Sequence, residues 1–286
     1  MQKIINNKWD LVITSHRGWF EFYLREIWQY RDLLKIYIRR NITTQYKQTI
    51  LGPLWIIIPP VLTTLVFTVI FGNIANISTD GLPKPLFYMA GIITWNYFST
   101  VLTSTSNSLA GNAGIFGKVY FPRIMIPLAT IISSLVRYFI QLILFIGFMG
   151  YFLINNPKSI EIQFQLLWLL PVLIIIMGLQ GLGFGLLFSA LTAKYRDIRF
   201  LIGFGVRLLM YASTVIFPLS MVPEKYKWII LANPMSAVIE SFRYIFLGVG
   251  QISSNAILYS TSFTGTLLVL GLLIFNQTEK DFIDNA

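Results

Sequence analysis

Apolar runs of about twenty residues recur along this chain, and they constrain its fold more than any other feature. A helix of that length reaches about 30 Å, enough to cross the hydrocarbon core of a bilayer. In hydrocarbon every backbone polar group must be satisfied within the chain, so helices are the form such runs take. Only 12% of the 286 residues are charged, against about 25% in soluble domains. Too little charge remains to cover a soluble surface. The pattern predicts an all-α polytopic membrane protein built as a single transmembrane domain over 1–286. Six spans are expected, at 50–71, 86–109, 124–154, 166–191, 201–217 and 257–275, forming a bundle over 50–275. A cytoplasmic N-terminal part (1–34) precedes it and a cytoplasmic tail (276–286) follows.

Charge sets the orientation. Nine of the 22 lysines and arginines precede Ile50, and Lys118, Arg123, Lys194, Arg196 and Arg199 occupy the loops after the second and fourth spans. Cytoplasmic loops carry such an excess, so both termini are expected inside. The net charge of +10 follows from this topology and is not arranged as a stripe for nucleic acid. There is no cysteine, hence no disulfide framework or thiolate metal site. The single histidine, His16, sits in a polar segment and makes no site alone. The opening MQKIINNKWDLV has no apolar core of signal-peptide type, so insertion is expected to rely on the first span.

Four stretches stand out. Residues 18–33 read as an amphipathic helix lying in the interface plane: Phe20, Tyr23, Leu24, Ile27 and Trp28 share one face, and Glu21, Arg25, Gln29 and Asp32 the other. It is either a surface anchor or a docking helix for a cytoplasmic partner. The second span is rich in Ser, Thr and Asn, from Thr94 and Asn96 to Asn107; it either packs by interhelical hydrogen bonds or lines a hydrated path. The loop GNAGIFGKVYFPRIMIP (111–127) places Val119-Tyr120-Phe121-Pro122 between Lys118 and Arg123. These aromatics are either interfacial anchors or a knob for a partner to grip. A phosphate loop is excluded here, because Asn112 and Val119 stand where that motif needs Gly and Ser or Thr. Residues 218–256 contain two short apolar stretches broken by Asn233-Pro234, a helix–turn–helix expected to re-enter the outer face between the fifth and sixth spans. Two further features lie within spans. Arg137 and Arg207 are costly there unless they face protein or water, and Gly181-x-x-x-Gly185 has the spacing of close helix approach.

No acidic pair, metal-spaced cluster or nucleophile constellation appears, and no acid lies well inside a span as a proton-coupled carrier would need. A passive conduit or a partner-driven machine remains. The runs LREIWQYRDLLKIYIRRNITTQYKQTILGPLW (24–55), GKVYFPR (117–123), AKYRDIRF (193–200) and PLSMVPEKYKWIILANPM resemble the permease subunits of bacterial ABC transporters that export polysaccharides, namely O-antigen, capsule and teichoic acid. The final EKDFID is similar to that family's tail.

The resemblance implies a subunit with no enzymatic activity in the bacterial inner membrane, acting as a homodimer with two copies of a separate ATPase chain that would hold the ATP and magnesium. It implies a lipid-linked glycan as substrate, carried on undecaprenyl pyrophosphate or a related lipid. Contact with the ATPase would fall to the interface helix, with Trp19, Phe20, Tyr23, Glu26, Ile27 and Arg31, and to a coupling helix around Lys118, Val119, Tyr120, Phe121, Pro122 and Arg123. The hairpin, with Pro223, Glu224, Asn233 and Pro234, would be an outer gate. Sugar rings bind on aromatic faces, so Trp95, Tyr97, Phe98, Tyr211 and Phe217 are candidate channel walls, with ordinary packing as the alternative. Arg39 and Arg40 suit a pyrophosphate at the cytoplasmic face, and positive-inside topology explains them equally well. A membrane enzyme acting on lipid-linked glycans, or a permease for a smaller substrate, is the competing expectation.

Overall fold

The computed structural model describes residues 24–116, 121–155, 160–195 and 197–284. Among them there is no strand. Two helices come first, α1 (Leu24–Gln29) and α2 (Arg31–Tyr46), separated at Tyr30. The helical run therefore continues some thirteen residues beyond the expected interface helix, through the basic stretch that holds Arg39 and Arg40.

The first apolar helix, Gly52–Ile74, changes character along its length. A 3-10 turn (Gly52–Ile56) leads into α3 (Ile58–Phe67) and then a π segment (Thr68–Ile74). Prolines explain the irregular start. Pro60 has no N–H to donate to the carbonyl of Ile56 four residues back, and the Gln141 amide supplies that hydrogen bond instead, at 3.2 Å.

Helix α4 (Lys84–Ser106) is the hub. It packs against α3, α7 (Met125–Asn155), α8 (Leu169–Lys194), α9 (Ile198–Tyr211) and α11 (Pro234–Leu247). Its apolar residues from Leu86 to Leu102 are almost fully buried. The short helices α5 (Ser108–Gly111) and α6 (Ala113–Phe116) lead towards the central loop. Helix α8 lies between α4 and α12 (Ser254–Asp284). Gly181 and Gly185 make the α4 contact possible: a Cβ on Gly185 would fall 2.5 Å from Cβ of Thr105 and 3.0 Å from the Leu102 carbonyl oxygen. The spacing read in the sequence is therefore a true close approach. Buried polar groups reinforce it. Ser108 and Ser189 hydroxyls meet at 3.2 Å, and Thr192 donates to the Ser106 carbonyl.

Among the described residues four helices are long and apolar enough to cross a membrane: Gly52–Ile74, Met125–Asn155, Leu169–Lys194 and Ser254–Thr278. Helix α4 matches them in length but carries more polar side chains. The helix expected over 201–217 ends at Tyr211, and the chain then turns through 212–216 with Ser213, Thr214, Val215 and Ile216 buried. The predicted helix–turn–helix is present as α10 (Glu224–Ala232) and α11, the first largely exposed and the second almost wholly buried.

Candidate functional site

Two polar stripes face each other across a cleft. On α4, Asn96, Thr100, Ser104 and Asn107 recur at helical spacing, and on α7, Thr130, Ser133, Arg137 and Gln141 do the same. Residues three or four apart share a helix face, so each set forms one line. Asn96, Ser99, Thr100, Thr103 and Asn107 are half-buried and Ser104 is exposed, while the apolar side of α4 turns into the core. Two cavities follow the cleft. The lower, about 290 Å³, is bordered by Arg40, Thr44, Ser104, Asn112 and Arg137 among others. The upper, about 390 Å³, lies between Trp55, Pro59 and Pro60 on one side and Asn96, Thr100 and Gln141 on the other. Arg137 borders both, and it donates to Ser134 Oγ at 3.1 Å. The polar second span was legible as a possible hydrated path. The matching stripe on α7 was not singled out, although its periodicity and its Arg carry the signal.

At the lower end, α2 is riveted to α7 and to the central loop. Tyr37, Phe121, Met125, Ile126 and Ala129 form a small separate core, with the Tyr37 and Phe121 rings 5.7 Å apart. The Arg40 guanidinium lies 4.4 Å over the Tyr37 ring and donates to Asn112 Oδ1 at 3.2 Å. Burial pushes the Tyr37 phenol pKa up, and Arg40 partly offsets this. Phe121, Pro122 and Arg123 are buried. In this conformation Phe121 is thus an anchor holding the loop down and not an outward knob. Lys118, Val119 and Tyr120 lie outside the described residues, as do Trp19, Phe20 and Tyr23. Glu26 lies on α1. Ile27 is half-buried against both cores, and Arg31 is exposed over the Trp28 ring at 5.4 Å. Arg39 is exposed.

The aromatic wall candidates separate into two groups. Trp95, Tyr97 and Phe98 are 3%, 4% and 2% exposed. Trp95 and Phe98 pack edge to face, Tyr97 packs against Tyr138 with the rings tilted and their centroids 5.2 Å apart, and the Tyr97 hydroxyl sits against Gly178. These three build the core of the chain and border neither cavity of the cleft; Trp95 and Phe98 turn away from the polar stripe of α4, and Tyr97 lies at its flank against α7. Tyr211 is half exposed at the end of α9, and Phe217 borders an apolar cavity of about 380 Å³ with Ile77, Met221, Pro223 and Tyr226.

The hairpin is held by one arginine that sequence reasoning passed over. Arg243 on α11 is 1% exposed. Its guanidinium donates to the carbonyls of Phe87 (3.3 Å), Thr214 and Val215 (2.9 Å), lies 3.6 Å over the Phe87 ring, and pairs with Glu240 at 3.4 Å. It ties α11 to α4 and to the turn after α9. Gly91 leaves the room, since a Cβ there would fall 2.8 Å from Arg243 Nη2. Glu224 forms an exposed pair with Lys227 at 2.6 Å, and Pro223 precedes α10 as its cap residue. Asn233 caps α11, its Oδ1 accepting from the Met235 amide at 3.1 Å, and Pro234 occupies the first helical turn. That is the ordinary use of both residues at a helix start. Among the described residues no cluster of His, Cys, Asp or Glu could hold a metal ion.

Residues 32–247 match the family model for ABC-2 type transporters. The chain belongs to that family. The matched segment contains both polar stripes, the central loop and the whole hairpin. Relatives within reach include an O-antigen export system permease protein of Klebsiella pneumoniae, 29% identical over 254 residues covering 88% of this chain and 94% of that protein. A Myxococcus xanthus protein with the same description is 24% identical over 92% of this chain and 98% of its own length. A polysialic acid transport protein of Escherichia coli is 28% identical over 84% of this chain and 91% of its own length. These relatives are transport permeases, and this ABC-2 chain, with its four long apolar helices, is a multi-pass membrane protein.

Proposed function

We propose that this chain is the membrane permease of an ATP-driven exporter of lipid-linked polysaccharide, working as a homodimer with two copies of a separate ATPase subunit. The observation that carries the reading is the near full-length similarity to O-antigen and polysialic acid export permeases. The polar cleft supports it, because long stretches of hydroxyl and amide on a membrane helix are costly unless they meet protein or a hydrated path. The substrate is an O-antigen-like or teichoic-acid-like glycan leaving the cytoplasm.

In this reading the chain crosses the bilayer six times with both termini cytoplasmic. Helix α4 supplies a fifth crossing, its polar side chains screened by α7 and α8. Helix α9, about 21 Å long, completes the sixth together with the turn at 212–217 and the re-entrant pair α10 and α11. The interface helix and the loop around Lys118 to Arg123 are the ATPase contacts, with Tyr37 and Phe121 as the brace behind them. The hairpin held by Arg243 is the outer gate. Tyr211 and Phe217 remain the wall candidates, joined by the polar faces of α4 and α7.

The test is a pull-down of the full chain from its native membrane with mass identification of what comes with it. A stoichiometric ATPase chain is expected. Recovery alone, or with glycosyltransferases, would remove the motor from the reading and favour an enzyme acting on the same glycans.

A further inference from the structure

A third cavity, about 380 Å³, opens beside α10 between Ile77, Phe217, Met221, Pro223, Tyr226 and Ile230. Its volume falls in the range of small-molecule pockets, about 300–1,000 Å³. Phe217 and Pro223 belong to the wall and the gate of the export reading, but the cavity itself has no part in it. Among the described residues no charged side chain borders it. A sugar would leave its hydroxyls unpaired against such a lining, whereas a hydrocarbon chain asks for no hydrogen bond.

Helix α10 lacks cover of that kind. Its sequence, EKYKWIILA, runs through Trp228, Ile229, Ile230 and Leu231, yet none of its nine residues is buried. Tyr226, Trp228 and Ile229 are exposed. Lysines beside a tyrosine and a tryptophan suit a helix lying at a membrane–water boundary. The cavity also continues an apolar surface. Ile77 follows Val69, Ile70 and Ile74, all exposed on the first apolar helix, and exposed apolar side chains on such a helix meet acyl chains.

Charge near the cavity selects the head group. Glu224 is paired with Lys227 at 2.6 Å, and Asp80 accepts from the Ser220 hydroxyl at 2.8 Å. Lys225 has no acidic partner among the described residues. Its ammonium lies 5.7 Å from the centre of the Tyr226 ring, and Tyr226 borders the cavity. One cation therefore stands beside an apolar slot.

We propose that the cavity beside α10 binds one acyl chain of an anionic glycerophospholipid of the bilayer, with the lipid's phosphate at Lys225. This lipid is a resident of the membrane and not the cargo. The export reading enters only in assigning it to the outer leaflet. A filled cavity gives α10 the apolar cover that the chain itself does not supply, and braces the exposed arm of the hairpin beside the arm held by Arg243.

The experiment photolabels the full chain in phosphatidylcholine nanodiscs that carry a small fraction of phosphatidylglycerol with a diazirine in its acyl chain. The label is mapped by peptide mass spectrometry. An excess is expected over 217–230 relative to 258–274, the stretch of α12 that exposes Leu258, Val269 and Leu270. Unlabelled phosphatidylglycerol is expected to displace that excess about fivefold better than diacylglycerol, the scale of one lysine beside an anionic head. Lys225→Gln should abolish this preference. Val222→Trp, on the cavity lining, should remove the excess and leave 258–274 labelled.

Label with no excess at 217–230 in the wild-type chain would overturn the proposal, and so would an excess that survives Val222→Trp at wild-type melting temperature. Equal displacement by diacylglycerol would overturn it as well, since Lys225 would then have no part. Stronger displacement by undecaprenyl phosphate than by phosphatidylglycerol would make the carrier lipid the occupant. Near-complete disulfide trapping of an Ile229→Cys chain with its own copy would make a second copy the occupant, and either result overturns the bilayer lipid. Absence of the ATPase from the pull-down would sink the motor and leave the label standing. Loss of the label with the ATPase present would do the reverse.

Discussion

Replacing Arg243 with Met tests whether the hairpin is held by one buried cation. The guanidinium serves the carbonyls of Phe87, Thr214 and Val215 and neutralises Glu240, itself 2% exposed. Methionine fills much of the volume and supplies no donor. Each carbonyl left buried without a partner costs about 1–3 kcal/mol, and a buried ion that loses its partner about 3–5 kcal/mol. These costs overlap, since Glu240 can take up a proton and the turn at 212–216 can relax. A loss of about 5 kcal/mol is the reasoned figure. For a domain of this size that lowers the melting temperature by roughly 10 °C. The assay is thermal unfolding of the detergent-purified chain, followed by size-exclusion recovery and tryptophan fluorescence. Glu240→Gln combined with Arg243→Met removes the stranded charge and should recover part of the loss. Arg243→Lys keeps the charge but gathers its donors on one nitrogen, where Arg243 reaches the three carbonyls from Nε, Nη1 and Nη2, and should fall between. A single Arg243→Met variant melting within about 2 °C of wild type would refute the clamp.

Other outcomes follow from the packing. Gly185→Ala places a Cβ 2.5 Å from Thr105 and against the Leu102 carbonyl, so α4 and α8 must separate, at a cost of about 1–3 kcal/mol read as a lower melting temperature. Gln141→Leu leaves the Ile56 carbonyl without its donor and should cost about 1–3 kcal/mol, with a local rise in hydrogen exchange over 55–60. Phe121→Ala empties the small core shared with Tyr37 and should cost about 3–5 kcal/mol. Its melting temperature should fall in the isolated chain, before any ATPase is added. A Tyr120→Ala variant that leaves the melting temperature unchanged while uncoupling ATP hydrolysis from export would support the coupling role of this loop. Loss of folded protein in that variant would refute it.

The membrane class and the broad layout were legible because each rests on a local physical rule. Apolar length demands a helix across lipid, and the Gly181-x-x-x-Gly185 spacing leaves a groove that a neighbour can enter. Proline pairs break a hydrogen-bond ladder wherever they stand, and Pro59 and Pro60 do so at the start of the first apolar helix. Asn233-Pro234 announced a helix start for the same reason. Each of these depends on residues within a few positions of one another, so it survives without knowledge of the rest of the chain.

What the tertiary structure decided concerns which face meets which. Trp95, Tyr97 and Phe98 share a helix with Asn96 and Thr100, and no periodicity says which side turns into the core. Packing against α7 and α8 buries the aromatics and leaves the polar line on the cleft. Phe121 reads in sequence as either an interfacial anchor or a knob, and it packs inward because Tyr37, eighty-four positions earlier, is brought beside it. Arg243 shows the same limit most sharply. In sequence it is one of several charges punctuating an apolar stretch, but its carbonyl partners lie on α4 and on the turn after α9, and only the fold brings them within reach. Long-range pairing of this kind leaves no local trace, because the cost of burying a charge is met by groups the chain supplies from elsewhere.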